Sequence, residues 1–162
     1  KHTAAEYMAI VEKIRAARPD IALSTDIIAG FPGETEEDFE ATLDLVAAVG
    51  FAQSFSFKYS ARPGTPASNM DGQVPEDVKS ARLHRLQGLL VAQQERFNEE
   101  TVGRTVPVLF ERTGRNDGYL IGRSPYLQLV QAEGSSDVLG RILPVAIRGA
   151  GPGSLSGVIA TR

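Results

Sequence analysis

Two loops hold the residues best placed for chemistry. Ile27-Ile28-Ala29-Gly30-Phe31-Pro32-Gly33-Glu34-Thr35 stands between an apolar run and an acidic helical pattern, and Tyr59-Ser60-Ala61-Arg62-Pro63-Gly64-Thr65-Pro66-Ala67 follows the next apolar run. At a strand-to-helix junction, free N–H groups and glycines let a ligand come close to the backbone. The same residues also suit a plain tight turn, with glycine supplying positive φ and proline rigidity. No Gly-Lys-Ser/Thr follows, so the first loop is not a Walker loop. Asp26 lies within the preceding strand, where an inward carboxylate would need a partner and an outward one would not. His2 and His84 lack metal-site spacing and read as surface residues.

The elements that position these loops follow from periodicity. Thr3 with Glu6 forms a capping-box pattern, Tyr7, Ile10, Val11 and Ile14 recur at helical spacing, and Pro19 stops the helix after Arg18. Ile21 to Ile28 reads as a buried strand. Thr35 with Asp38 repeats the capping box, and Phe39, Leu43, Val46 and Val49 give that helix its apolar stripe up to Gly50. Phe55, Phe57 and Tyr59 alternate with Ser54, Ser56 and Lys58 as a half-polar strand. Strand, helix and strand predict a right-handed βαβ unit with parallel strands, which puts both loops on one edge.

A long helix is expected from about Glu76 to Thr101, with Leu83, Leu86, Leu90 and Phe97 on one face and Gly103 as its stop. Beyond Thr105 the pattern changes to short apolar runs, Val106 to Phe110, Tyr119 to Ile121, Tyr126 to Val130 and Leu143 to Ile147, separated by turns containing glycine. These runs predict a small β-barrel or sandwich of about 60 residues. Two parallel strands cannot close a sheet of their own, so the first hundred or so residues read as part of a larger domain.

Composition sets the outer limits. The 162 residues contain no cysteine, which removes disulfides, thiolate metal sites, iron-sulfur ligation and cysteine nucleophiles from this chain. Residues 1–100 carry 10 Lys+Arg against 16 Asp+Glu, and residues 101–162 carry 7 against 4, giving -6 and +3 and the net -3 of the whole. Every cation of the second part is arginine: Arg104, Arg112, Arg115, Arg123, Arg141, Arg148 and Arg162. Arginine suits bidentate phosphate contact, although the same residues also suit a solvated β surface. Arg112, Arg115 and Arg123 flank Gly114 and Gly122, read as turns, and Tyr119 and Tyr126 are open to either stacking or core packing. No apolar run nears the roughly 20 residues of a membrane span, so a cytoplasmic protein with no membrane partner is expected. The start at Lys1 reads as a cut from a longer chain.

Ser24-Thr25-Asp26-Ile27-Ile28-Ala29-Gly30-Phe31-Pro32-Gly33-Glu34-Thr35-Glu36-Glu37-Asp38-Phe39, followed by Phe57-Lys58-Tyr59-Ser60-Ala61-Arg62-Pro63-Gly64-Thr65-Pro66-Ala67, resembles the radical S-adenosylmethionine methylthiotransferases. The resemblance continues through Arg82-Leu83 and Val102-Gly103 into the last 60 or so residues, which are similar to the RNA-binding TRAM domain of that family. Arg62-Pro63 stands where the ribosomal-protein branch usually has an acidic residue. Together with Ser154-Leu155-Ser156-Gly157, it resembles the tRNA branch, which adds a methylthio group to carbon 2 of an N6-prenylated adenosine beside the anticodon.

The resemblance implies an α/β plus all-β chain: residues 1–102 as the C-terminal portion of a radical-SAM (TIM-like) barrel with its connecting helix, and 103–162 as a small OB-like β-barrel, the TRAM domain. It implies that the longer protein uses S-adenosylmethionine and two 4Fe-4S clusters, whose cysteine ligands this chain lacks. Carried over by position, Ile28, Gly30, Phe31, Gly33, Glu34, Tyr59 and Ser60 would lie near S-adenosylmethionine. Arg104, Arg112, Arg115, Arg123, Arg141 and Arg148 would face tRNA at its anticodon stem-loop. No catalytic or metal-binding residue is assigned, the piece alone is expected to be inactive, and an exposed barrel edge would favour self-association. The alternatives are a stand-alone RNA-binding module on an α/β scaffold, a fragment of a ribosomal-protein methylthiotransferase, and a phosphate-binding α/β protein using the Gly30 loop.

The lack of thiolates has a direct consequence. Anaerobic reconstitution of this chain with iron and sulfide should leave no charge-transfer absorbance above a protein-free control, whereas a stoichiometric cluster would contradict the reading.

Overall fold

The computed structural model describes residues 3–160, so Lys1, His2, Thr161 and Arg162 lie outside the described residues. The chain divides into two compact units, Lys1–Gln93 and Gln94–Arg162.

In the first unit, helix α1 (Ala4–Ala17) starts on the expected capping box: the Thr3 side chain accepts from the Glu6 N–H, and the Glu6 carboxylate accepts from the Thr3 N–H. Strand β1 (Ser24–Ala29) leads to α2 (Glu36–Val49), where Thr35 and Asp38 make the same reciprocal cap and Gly50 ends the helix at φ 61°. Strand β2 (Gln53–Lys58) pairs with β1 in parallel, with Asp26 opposite Phe55 and Ile28 opposite Phe57. Helix α3 (Glu76–Glu99) follows and runs on into the second unit. Val11, Phe39, Val46, Val49, Leu86 and Leu90 pack with Ala29 and Phe51 into one core, so helices cover one face of the pair of strands.

The opposite face corrects the expectation of a buried strand from Ile21 to Ile28. The strand begins only at Ser24, and its outward positions are exposed: Ile28 is 55% exposed, Phe55 57% and Phe57 55%. Alternation along β2 is real, but the phenylalanines point away from the core while Ser54 and Ser56 are half-buried. Asp26, on the same outward face, is exposed and needs no buried partner.

The buried line of α3 also departs from a purely apolar stripe. Arg82, Leu86, Leu90 and Gln93 are buried at helical spacing, while Leu83 and Phe97 are half-buried. Gln93 earns its place through hydrogen bonds: its Oε1 accepts from the Phe51 N–H at 3.0 Å, and its Nε2 donates to the Val46 carbonyl at 2.7 Å. The amide thereby satisfies the backbone on both sides of the α2 terminus.

The second unit is a closed barrel in the order β3-β4-β5-β7-β6, built from β3 (Thr105–Thr113), β4 (Tyr119–Arg123), β5 (Leu129–Glu133), β6 (Ile142–Gly151) and β7 (Ser154–Ile159). Its interior holds Val106, Val108, Phe110, Leu120, Val130, Val145, Ile147 and Leu155, the inward set of alternating strands. Closure comes from β7 pairing in parallel with β5 and antiparallel with β6. The third apolar run is displaced: Ser124 to Gln128 form a turn in which Leu127 takes φ 61°, and the strand starts at Leu129. Gly122 is no turn either. It lies inside β4, where any Cβ would collide with the Leu109 carbonyl, so glycine there permits close strand approach.

A Gln93→Leu substitution should cost about 1–3 kcal/mol, chiefly by stranding the buried Phe51 N–H, since the Val46 carbonyl still accepts from the Gly50 N–H. Urea unfolding followed at the first unit measures this, and an unchanged midpoint would show that the two hydrogen bonds contribute nothing net.

Candidate functional site

The first candidate site is the rim where β1 and β2 end. Gly30 follows β1 at φ 76° and is buried, with the Lys79 side chain crossing where a Cβ would stand. Its N–H donates to Glu34 Oε1 at 2.9 Å. The same carboxylate oxygen accepts from Arg82 at 2.8 Å, and one Arg82 nitrogen also donates to the Glu34 carbonyl at 3.0 Å. Arg82 reaches Glu36 as well, at 3.1 Å. With 6% of the Arg82 side chain and 13% of the Glu34 side chain exposed, this pair is removed from water and fully hydrogen-bonded. Arg85 and Arg82 together hold the exposed Glu36 carboxylate below its usual range, Arg85 contributing more.

Tyr59 is buried beside the loop. Its N–H donates to the Ala29 carbonyl at 2.8 Å, its carbonyl accepts from Lys79 Nζ at 3.2 Å, and its ring meets Phe31 edge-on at 5.3 Å. Among the described residues its buried hydroxyl has no hydrogen-bond partner.

The fold therefore gathers Ile28, Gly30, Phe31, Gly33, Glu34, Tyr59 and Ser60 along one rim but gives them different tasks. The Gly30 N–H and the Glu34 carboxylate serve each other, and the Gly33 N–H donates to the Gly72 carbonyl at 2.9 Å. Ile28, Phe31 and Ser60 are exposed. A phosphate would meet the Glu34 carboxylate at the N–H it needs, so phosphate binding in this loop is disfavoured. An uncharged ring suits exposed Ile28 and Phe31 better. The residues here thus fit the nucleoside part of S-adenosylmethionine through apolar contact. They do not fit an iron-sulfur cluster, since the chain has no cysteine and no metal-holding group of His, Cys, Asp and Glu occurs among the described residues.

Sequence reading missed Arg82 and Lys79 as organisers of this loop. The available signal was an arginine four residues before Leu86 and eight before Leu90, on the apolar face of α3.

The second candidate site is the barrel surface. Arg104, Arg112, Arg115, Arg123, Arg141 and Arg148 are all exposed. Arg112, near the end of β3, and Arg115, in the following turn, belong to one hairpin. Arg123 lies at the other end of β4, 3.6 Å from Glu111, and donates to the Leu127 carbonyl at 3.1 Å. The three therefore do not cluster about one turn. The two tyrosines are also distinguished: Tyr126 packs edge-on against Phe97 at 5.7 Å, whereas Tyr119 is half-buried at the start of β4 and donates its hydroxyl to Glu133 at 2.9 Å. That carboxylate pushes the Tyr119 phenol up.

Residues 99–160 match the TRAM domain family. Over 157 residues, 97% of its length, the chain is 60% identical to the tRNA-2-methylthio-N(6)-dimethylallyladenosine synthase of Maricaulis maris (strain MCS10), and it spans 34% of that relative's length. The TRAM match covers the closed barrel together with the final residue of α3.

The rim should be sensitive to acid through Glu76. This exposed carboxylate is lowered to about 2, first by Lys58 and then by Lys79, and it holds Lys79 over Gly30 at 2.9 Å. Because the folded value lies below the ordinary 4.5 of a free glutamate, the stabilisation is complete above that pH and is lost as pH falls towards about 2. Protection of the Gly30 and Tyr59 amides, measured relative to their intrinsic exchange rates, should fall across this window, and Glu76→Gln should show the lower protection already at pH 7. Identical exchange in the two proteins at pH 7 would show that Glu76 does not hold the rim.

Proposed function

We propose that this chain, which carries a TRAM domain and so closely resembles a tRNA methylthiotransferase, is the C-terminal part of an enzyme of that kind and supplies its tRNA-binding surface. The observation that carries the reading is the closed barrel of 105–159, within the TRAM match, with its five arginines and the adjoining Arg104 all exposed. Within that reading, the parent enzyme adds a methylthio group to carbon 2 of an N6-prenylated adenosine at the anticodon stem-loop. S-adenosylmethionine and the clusters supply the sulfur-transfer chemistry, and the clusters are held by residues outside this chain. The chain's own contribution is binding and orientation: Ile28 and Phe31 offer apolar contact to the nucleoside, while the Arg82–Glu34 pair fixes the loop that presents them.

The outward face of β1 and β2 supports the same reading. Ile28, Phe55 and Phe57 lie on one side of a two-stranded parallel sheet that has helices only on its other side. Parallel sheets are ordinarily covered on both faces, and further strands of a radical-SAM barrel would complete this one. In the isolated chain the same face would favour self-association.

Titration against tRNA at several salt concentrations tests the binding surface. The two pairs to change are Arg112→Ala/Arg115→Ala, on the β3–β4 hairpin, and Arg104→Ala/Arg148→Ala, joined through the backbone contact of Arg104 with Ile147. Removing a pair that contacts phosphate should weaken binding and lower the log-log salt slope by roughly 1 to 2. Unchanged affinity and slope in both variants would mean the arginines are ordinary surface charge.

A further inference from the structure

A cleft of about 360 Å³ opens at one end of the barrel, between the β3–β4 hairpin and the segment that follows β5. We propose that it receives a single unpaired guanine base of the bound RNA, an inference that rests on the RNA-binding reading of the barrel and goes beyond it.

The lining decides the chemistry. Asp117 is the only charged residue on it, and no cation lines it, so the cleft is unsuited to phosphate. Its polar residues are Thr113, Asn116, Ser135 and Ser136, with Tyr119 as its aromatic residue. Single-stranded RNA is read in this way, with a base splayed out against an aromatic ring and its edge met by side-chain hydrogen bonds. A carboxylate only accepts hydrogen bonds. Among the bases, guanine presents adjacent N1–H and N2–H donors on its Watson-Crick edge, a pair that one carboxylate can satisfy. Adenine and cytosine place an acceptor beside their amino group, and uracil has a single N–H.

The arrangement of charge around the cleft fits a nucleotide with its base inside and its phosphate outside. Arg112 and Arg115 are exposed on the hairpin whose other residues line the cleft. The hydrogen bond from Tyr119 to Glu133 anchors the ring, so little side-chain freedom remains to be lost when a base stacks on it. The loop backbone is likewise tied down, with the Gly114 N–H donating to the Tyr119 carbonyl at 2.7 Å and the Gly134 N–H to the Gly118 carbonyl at 2.9 Å. The cleft is thus formed before any ligand enters. Tyr126 offers no comparable platform, because its ring is packed against Phe97.

The test uses the whole chain and seven-nucleotide oligoadenylates whose central base is guanine, inosine or adenine, followed by fluorescence anisotropy. The guanine oligomer should bind roughly tenfold tighter than the all-adenine one, with inosine, which lacks the 2-amino donor, between them. Asp117→Asn should abolish this preference while leaving the salt slope on tRNA unchanged, because no phosphate contact is lost. Tyr119→Ala should weaken all three oligomers, and Tyr119→Phe should retain most of the affinity because stacking survives. Equal binding of the three oligomers by the unmodified chain would overturn the guanine site while the RNA-binding reading stood. Failure to bind any oligomer or tRNA would overturn both.

Discussion

The first unit depends on a guanidinium that has almost no water around it. Arg82 keeps 6% of its side chain exposed, and a charge so placed costs several kcal/mol unless its donors are matched. The Glu34 carbonyl and carboxylate, together with Glu36, match them. In return, the Glu34 carboxylate turns back to take the Gly30 N–H, closing the loop upon itself. One buried cation thus fixes a loop about fifty residues away in sequence, and the Gly30 and Gly33 N–H groups, already used within the protein, are not free for a phosphate.

The barrel has a comparable buried polar anchor at its entrance. Gln128, in the turn before β5, donates to Asn98 at 3.0 Å and to the Thr101 hydroxyl at 2.9 Å, and its carbonyl oxygen accepts from Ser124. These groups are buried, so their mutual satisfaction is what makes the arrangement tolerable. They also explain why the last turn of α3 is part of the second unit. The division at Gln93 and Gln94 places Asn98 and Thr101 with the strands they bind.

Surface chemistry separates two kinds of recognition on the barrel. Exposed arginines along β3 and β6 offer charge without discrimination between bases, whereas the cleft beside Tyr119 offers directional acceptors and no positive charge. The first unit contributes a third type of surface, apolar and uncharged, on Ile28, Phe31, Phe55 and Phe57. Each follows from side-chain type at positions that strand alternation turns outward.

What the sequence determined by itself was local. Both capping boxes, the Gly50 stop, the βαβ order and most barrel strands were legible because a few neighbouring residues specify each of them. The motif strings around Gly30 and Tyr59, with the arginine-rich last segment, also carried the family resemblance. Other features needed partners distant along the chain. Alternation shows that Phe55 and Phe57 share a face, but only the packing of α1, α2 and α3 against Ala29 decides that this face is the outer one. Gly122 looks like a turn until Leu109 is seen pressed against it, and β7 has little apolar signal until β5 and β6 are there to pair with it. The tasks of Arg82, Gln93 and Gln128 were hidden for the same reason: a polar side chain on a buried face can be understood only from the groups it satisfies, and tertiary structure alone brings those groups within hydrogen-bond reach.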